Sequence, residues 1–335
     1  MNSLWKKLTD FGAYSLEEIE DEETWDKLVL EYGRLAPNQL WYFGAMSERV
    51  LSCPVKRFLV TSDGKPALLA QAVKIRMING YSFLNVYDGP IMVNNDCDSL
   101  KFFLKKIKQS DFTKSASFLK IEPFRERDGI IEKILFGSGF YKSQNYLGLL
   151  GESHAALDLR REIDFIWRSM NQTTRRHIRF ANRKGLSIRR ARTDEDFEIF
   201  WKLLQEMTAR KKLFAVSRHK LWFKEIYLSP SISSVKLLPP ELFLADYKGE
   251  TVAAAFMLYF EDTAVFYVGG SLIRSEVGGL KPLLWHIIQE AKNRGFNQFA
   301  LGKIDSEKTP GMALFYRGFG CGEIPLIGTY DYNLQ

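Results

Sequence analysis

Cysteine and histidine are scarce in this chain, and each shortage excludes a class of chemistry. Three cysteines, Cys53, Cys97 and Cys321, lie far apart in 335 residues. That excludes a disulfide framework, and no Cys-x-x-Cys pair offers a zinc or redox site. The four histidines, His154, His177, His219 and His286, are dispersed. No His-Glu-x-x-His, phosphate-loop glycine motif or Gly-x-Ser-x-Gly elbow occurs, so metalloprotease, P-loop and serine-hydrolase chemistry lack their residues. Long apolar runs are missing too. The most apolar stretch, Val252–Phe260, is far shorter than the roughly 20 residues that cross a bilayer as a helix. Met1–Lys7 lacks the apolar core of a signal peptide. These absences predict a cytoplasmic protein with no bound metal and no transmembrane segment, for which peripheral contact with a membrane stays open.

What is present suffices for a real core: 46% hydrophobic residues against 26% charged. The length allows two domains at roughly 150 residues each. One plan is used twice. Arg57–Thr61 reads as a strand, Asp63-Gly64 as a tight hairpin turn, and Ala67–Ile75 as the return strand. Asn79-Gly80 turns into Ser82–Tyr87; a helix with Leu100, Phe103, Leu104 and Ile107 on one face follows, then the strand Ser117–Ile121. In the second half the same order runs through Leu242–Tyr247, Lys248-Gly249, Thr251–Phe260, Glu261-Asp262 and Ala264–Val268. A helix from Gly279 to Arg294, closed by Gly295, and the strand Phe299–Leu301 complete it. Gly249 follows Gly64 by 185 positions and Phe299 follows Phe118 by 181. The pattern predicts an internal duplication, each half a mostly antiparallel sheet with a packed crossover helix, an α+β fold.

Between the repeats the sequence reads as helical. Asp158 is expected to start one helix, with Ile163, Ile166, Trp167 and Met170 on a shared face. Thr173 is expected to cap the next, and Thr193 with Asp196 resembles a capping box for a third that buries Phe197, Phe200, Trp201 and Leu204. The domain boundary is expected near residues 150–160, dividing the chain into 1–155 and 156–335.

Three groups of residues offer chemistry. Arg175, Arg179 and Arg183 are spaced i, i+4, i+8 in a basic run that continues through Arg189, Arg190 and Arg192, with no acid between Asn171 and Thr193. Like charges so placed cost a helix a few tenths of a kcal/mol per pair. Guanidinium forks facing the phosphates of a nucleotide-sugar, coenzyme A or tRNA would offset that; a plain solvated face is the other reading. Gly278 and Gly279 open the Leu280 helix, whose free N–H groups suit an anion, although the neighbouring Glu276 would repel one and a plain turn fits equally. Lys303 at a strand end and Arg317 beyond it are cations available to a tetrahedral oxyanion. Tyr316 and Tyr267 can move a proton or orient the leaving group.

Taken together, several segments resemble the Fem family of peptidoglycan-bridge aminoacyltransferases, two-domain relatives of the GNAT acyltransferases. They are Asn85-Val86-Tyr87-Asp88-Gly89-Pro90, Phe118–Pro123, Gly139-Phe140 with Gln144, Thr174–Ala181, and Leu314-Phe315-Tyr316-Arg317-Gly318-Phe319-Gly320. The resemblance spans nearly the whole chain. It implies tandem GNAT-like (acyl-CoA N-acyltransferase-like) domains, the second carrying the catalytic loop. It also implies attack by an amine on an aminoacyl ester without a covalent enzyme intermediate. The family's oxyanion-stabilising lysine falls on Arg317, and its phosphate-facing helix on Arg175 and Arg179. Two departures stand out: arginine replaces that lysine, and Gly328-Thr329 replaces the family's Gly-Glu. The tail from Gly322 to Leu334 is similar to Fem-like proteins of exopolysaccharide and exosortase loci.

The leading expectation is therefore acyl or aminoacyl transfer to an amino group of a cell-envelope precursor, such as a UDP- or lipid-linked muropeptide. The donor would be aminoacyl-tRNA or acyl-CoA. The alternatives are an acyl-CoA-dependent N-acyltransferase of exopolysaccharide or envelope biosynthesis, and a non-catalytic binder of anionic sugar, nucleotide or RNA.

Overall fold

The structure is a computed structural model; it describes residues 14–33, 35–77, 80–144, 151, 153–211, 219–235 and 237–334. Met1–Lys7 and Asn79 of the expected second hairpin lie outside these. In chain order the elements begin with β1 (Tyr14–Glu18), α1 (Glu22–Tyr32), α2 (Trp41–Leu51), β2 (Val55–Ser62), β3 (Lys65–Arg76), β4 (Ser82–Val86) and β5 (Ile91–Met92). Next come α3 (Cys97–Lys108), β6 (Ala116–Ile121), α4 (Gly129–Gly137), β7 (Tyr141–Lys142), β8 (Ser153–Asp158), α5 (Ile163–Ser169) and α6 (Gln172–Arg183). The chain continues through β9 (Ser187–Arg190), α7 (Asp194–Lys211), α8 (Lys220–Leu228), β10 (Glu241–Tyr247), β11 (Glu250–Phe260) and β12 (Thr263–Ser271). It ends with α9 (Leu280–Asn293), β13 (Gln298–Ile304), α10 (Pro310–Arg317), β14 (Gly322–Pro325) and β15 (Tyr330–Asn333).

Two compact units result. The first holds Met1–Asn145, Ser233–Val235 and Ile327–Gln335, the second Tyr146–Ile232 and Lys236–Leu326. The first sheet runs β1-β2-β3-β4-β6-β15-β7, with β5 also paired to β3; the second, from its β9 edge, runs β9-β10-β11-β12-β13-β8-β14. Position for position these are one plan, as the repeated sequence pattern predicts. Local chemistry explains the repeated hairpin: Asp63 and Gly64, like Lys248 and Gly249, all have positive φ, the conformation of a two-residue turn that matches strand twist. In the first unit α3 lays Leu100, Phe103, Leu104 and Ile107 on Phe58, Val60, Leu84 and Leu119 of the sheet.

The sixth position of each sheet departs from chain order. After β7 the chain does not pair beside it; β8 goes to the second sheet, between β13 and β14, and β15 fills the matching place in the first. A break at 155/156 would therefore fall inside β8, and the tail belongs with the first unit rather than the second. Two cap expectations also change. Asp158 ends β8, its carboxylate accepting from Arg160 Nε at 2.8 Å. The cap of α6 is Asn171, not Thr173: its side chain accepts from the Thr174 N–H at 2.7 Å. The capping box at α7 is reciprocal, Asp196 N to Thr193 Oγ1 and Thr193 N to Asp196 Oδ2, both 3.2 Å.

Candidate active site

The second unit contains a parallel strand pair that comes apart. β12 and β13 pair only at Thr263↔Gln298, Ala264↔Phe299 and Val265↔Ala300, although both strands run on, to Ser271 and Ile304. The cause is on β13, which keeps its other neighbour: its pairing with β8 continues to Ile304↔Ser153 across a bulge at Leu301. Gly302, at φ +123, allows that bulge. The equivalent pair of the first unit, β4 and β6, stays together from Ser82↔Ala116 to Val86↔Ile121. Only the second sheet opens at this place.

Tyr316 stands at the opening. A Cβ built on Gly302 would lie 3.5 Å from the Tyr316 hydroxyl, ordinary van der Waals contact, so the phenol lies against the strand at its bulge. The ring is buried, and burial, with a smaller contribution from Cys321, pushes the phenol pKa well above its ordinary value. Lys303 follows on β13, opposite His154 of β8.

Arg317 is already engaged. Its Nη2 donates to Glu323 Oε2 at 3.1 Å and to Ser306 Oγ at 2.8 Å, while its Nε also reaches Glu323. The Glu323 carboxyl is held below the usual carboxylate range by the hydrogen bond from Arg317. Sequence reasoning missed Glu323 and Ser306, which stand at no regular spacing from Arg317. Tyr267 sits in a second bulge: Phe256 pairs with Val268 and Met257 with Phe266, leaving Tyr267 unopposed. The Trp222 indole of α8 donates to its hydroxyl at 3.1 Å, a partner that no sequence pattern announced.

The basic run divides in two. On β9, Arg189 pairs with Asp196 and Asp246, and Arg190 with Glu241 and Glu290. On α6, Arg175 Nη1 donates to the Arg168 carbonyl at 3.0 Å, and the Arg179 guanidinium lies 5.3 Å from the Trp167 ring centre. Arg179 and Arg183 are exposed. His177 connects this helix to the start of α9: burial lowers its pKa first, then the charges of Lys281 and Arg176. At the N-terminus of α9, Gly278 has open space where a side chain would go, whereas a Cβ on Gly279 would meet Ala253 at 2.8 Å. Glu276, expected to repel an anion there, is bound by Tyr247 and by Lys248 at 3.0 Å. Among the described residues no cluster of His, Cys, Asp and Glu could hold a metal ion, and no helix is long and apolar enough to cross a membrane.

The family model of the GNAT acetyltransferase domain matches residues 168–308, α6 through the parted strands; Tyr316 and Arg317 lie just beyond. The structure of FemX is similar at a TM-score of 0.75 and 15% identity, covering 95% of this chain and 97% of FemX. A tandem GNAT protein from the clavulanic acid biosynthesis pathway gives 0.60 at 9% identity, over 96% and 99%. L-PGS from Bacillus licheniformis gives 0.52 at 16%, over 94% and 92%. No curated protein matches the chain in sequence. Residues 168–308 thus match the GNAT acetyltransferase domain, and the chain has a tandem-GNAT, Fem-like fold.

Proposed function

We propose that the chain transfers an acyl or aminoacyl group to an amine of a cell-envelope precursor, with the reaction in the second unit. The observation that carries this reading is the parted β12–β13 pair with Tyr316 beside it. Strand edges that no longer bond each other offer main-chain N–H groups to a carbonyl oxygen, a preorganised electrostatic site of the kind that stabilises an oxyanion. An unprotonated amine attacks the donor carbonyl carbon and forms the C–N bond. Collapse of the tetrahedral intermediate breaks the bond to the leaving oxygen or sulfur, which takes a proton from Tyr316, and the proton shed by the new amide nitrogen returns the phenolate to phenol through water. Lys303 and Arg317 supply positive charge at the strand end, Arg317 by exchanging Glu323 for the oxyanion. Tyr267, oriented by Trp222, positions the acceptor.

In a transfer assay with purified protein, Tyr316→Phe should lower kcat by about 10²–10⁴-fold, and Arg317→Ala by about 10²-fold. Unchanged kcat in Tyr316→Phe would remove the phenol from the reaction. Acyl-CoA is the other donor to test, since the open space at Gly278 before α9 leaves that helix N-terminus accessible to a phosphate. Calorimetry with acetyl- and long-chain acyl-CoA tests it, and absence of binding at millimolar ligand sinks this donor.

A further inference from the structure

The cations of α6 are laid out for a broad surface and not for a pocket. From Arg168 to Lys184 the sequence holds five arginines, one lysine and no acid; Glu162 and Asp164 precede this stretch at the start of α5. Thr174, Ile178 and Ala181 make the buried face of α6. At 3.6 residues per turn, Arg176 and Arg183 project nearly opposite that face with Arg179 beside them, and all three are exposed. Among the described residues none of the three pairs with a carboxylate, whereas Arg189, Arg190, Arg274 and Arg294 of the same unit all do. A ridge of like charges turned to solvent repels itself, and a polyanion laid along it reverses that penalty.

Exposed apolar side chains stand on the neighbouring helices. Phe165 on α5 is 54% exposed, with the Arg161 guanidinium 5.5 Å from its ring centre. Leu314 on α10 is 70% exposed. It lies one turn before Gly318, whose carbonyl accepts from the N–H of Asn171, the α6 cap. We propose that the α5–α6 face is a docking surface for an anionic lipid bilayer. Basic side chains on such a helix gain from the negative surface, and apolar neighbours enter the interface. A nucleic acid would use the same cations and could stack on Phe165, but it has no use for Leu314, which offers no π face to a base.

The test is flotation of the full chain with vesicles. The protein should float with mixed phosphatidylglycerol–phosphatidylcholine vesicles, not with phosphatidylcholine alone, and salt should release it. Replacing Arg176, Arg179 and Arg183 together by serine should lower partitioning about a hundredfold; replacing the three by lysine should retain it, and Phe165→Ser should weaken it. Equal partitioning of wild type and the serine variant, both shown folded by circular dichroism, overturns the proposal. So does equal binding to neutral vesicles. Binding of wild type to single-stranded polyuridine with no vesicle association also overturns it and assigns the ridge to nucleic acid.

Discussion

A phenol that protonates a leaving group must keep its own proton until that moment, and burial of Tyr316 favours the protonated form. Its pKa lies above the ordinary 10.0, so a kcat–pH profile should show no alkaline fall from this group below about pH 10. A limb that lies lower and vanishes in Tyr316→Phe would contradict the assignment. Gly279 offers a separate test at the same scale. A methyl group there would press on Ala253 and Val252, which are buried strand side chains without flexible ends to yield. Gly279→Ala should cost about 1–3 kcal/mol through overpacking, read as a lower midpoint of chemical unfolding; full stability would show that α9 can shift. The segment that carries Tyr316 and Arg317, the residues proposed for the reaction, stands out in sequence through a motif. Glu323 does not, because it meets Arg317 only after the chain has turned from α10 into β14, and no periodicity encodes that return.

Elements show how one basic run can hold two kinds of surface. Arg189 and Arg190 stand on a strand edge facing carboxylates of β10 and the adjoining helices, while the cations of α6 face water. In the first group Glu241 accepts from Arg190 at 2.9 Å and also from Tyr259 and Arg294. Burial pushes its carboxyl pKa up, but the bonds from Tyr259 and Arg294 outweigh it and leave the pKa below the ordinary 4.5. A pKa lowered by folding gives stability that is complete above the unfolded value and is lost as pH falls through the folded one. The melting temperature should therefore drop on acidification below about pH 4.5, and Glu241→Gln should flatten part of that drop; an identical slope in the variant would count against the network. The strand–strand–strand–helix–strand repeat was legible because its turns need left-handed residues and its helices have one apolar face. The α5 start was misread because Asp suits an N-cap, and here its carboxylate is spent on Arg160. The α6 cap was placed two residues late because Asn and Thr serve that role almost equally.

Across the whole molecule the feature least legible in sequence is the placement of β8 and β15. Short strands do not reveal which of two equivalent sheets they will join. The seat of β15 is well fastened: Ile327 and Tyr330 are buried, and Lys120 Nζ donates to Asp331 Oδ1 at 2.6 Å with both side chains enclosed. Ser143 Oγ donates to the second carboxylate oxygen at 2.7 Å. Lys120→Met, which strands a buried carboxylate, should destabilise by about 3–5 kcal/mol in denaturant titration. Pairing it with Asp331→Leu should recover much of the loss, and an additive double variant would mean that the two side chains do not act as a pair. Ending the chain after Leu326 should abolish cooperative unfolding of the first unit; an unchanged unfolding curve would show that β15 is dispensable. The order of synthesis gives the same feature another meaning. A ribosome adds roughly 5–20 residues per second, so once β7 has emerged the first sheet waits on the order of ten seconds for the strand that fills it. Throughout that wait a strand-wide gap lies beside β6, its hydrogen-bonding groups open to any extended chain that passes. The newborn protein, more than the finished one, is the form for which a chaperone has work to do.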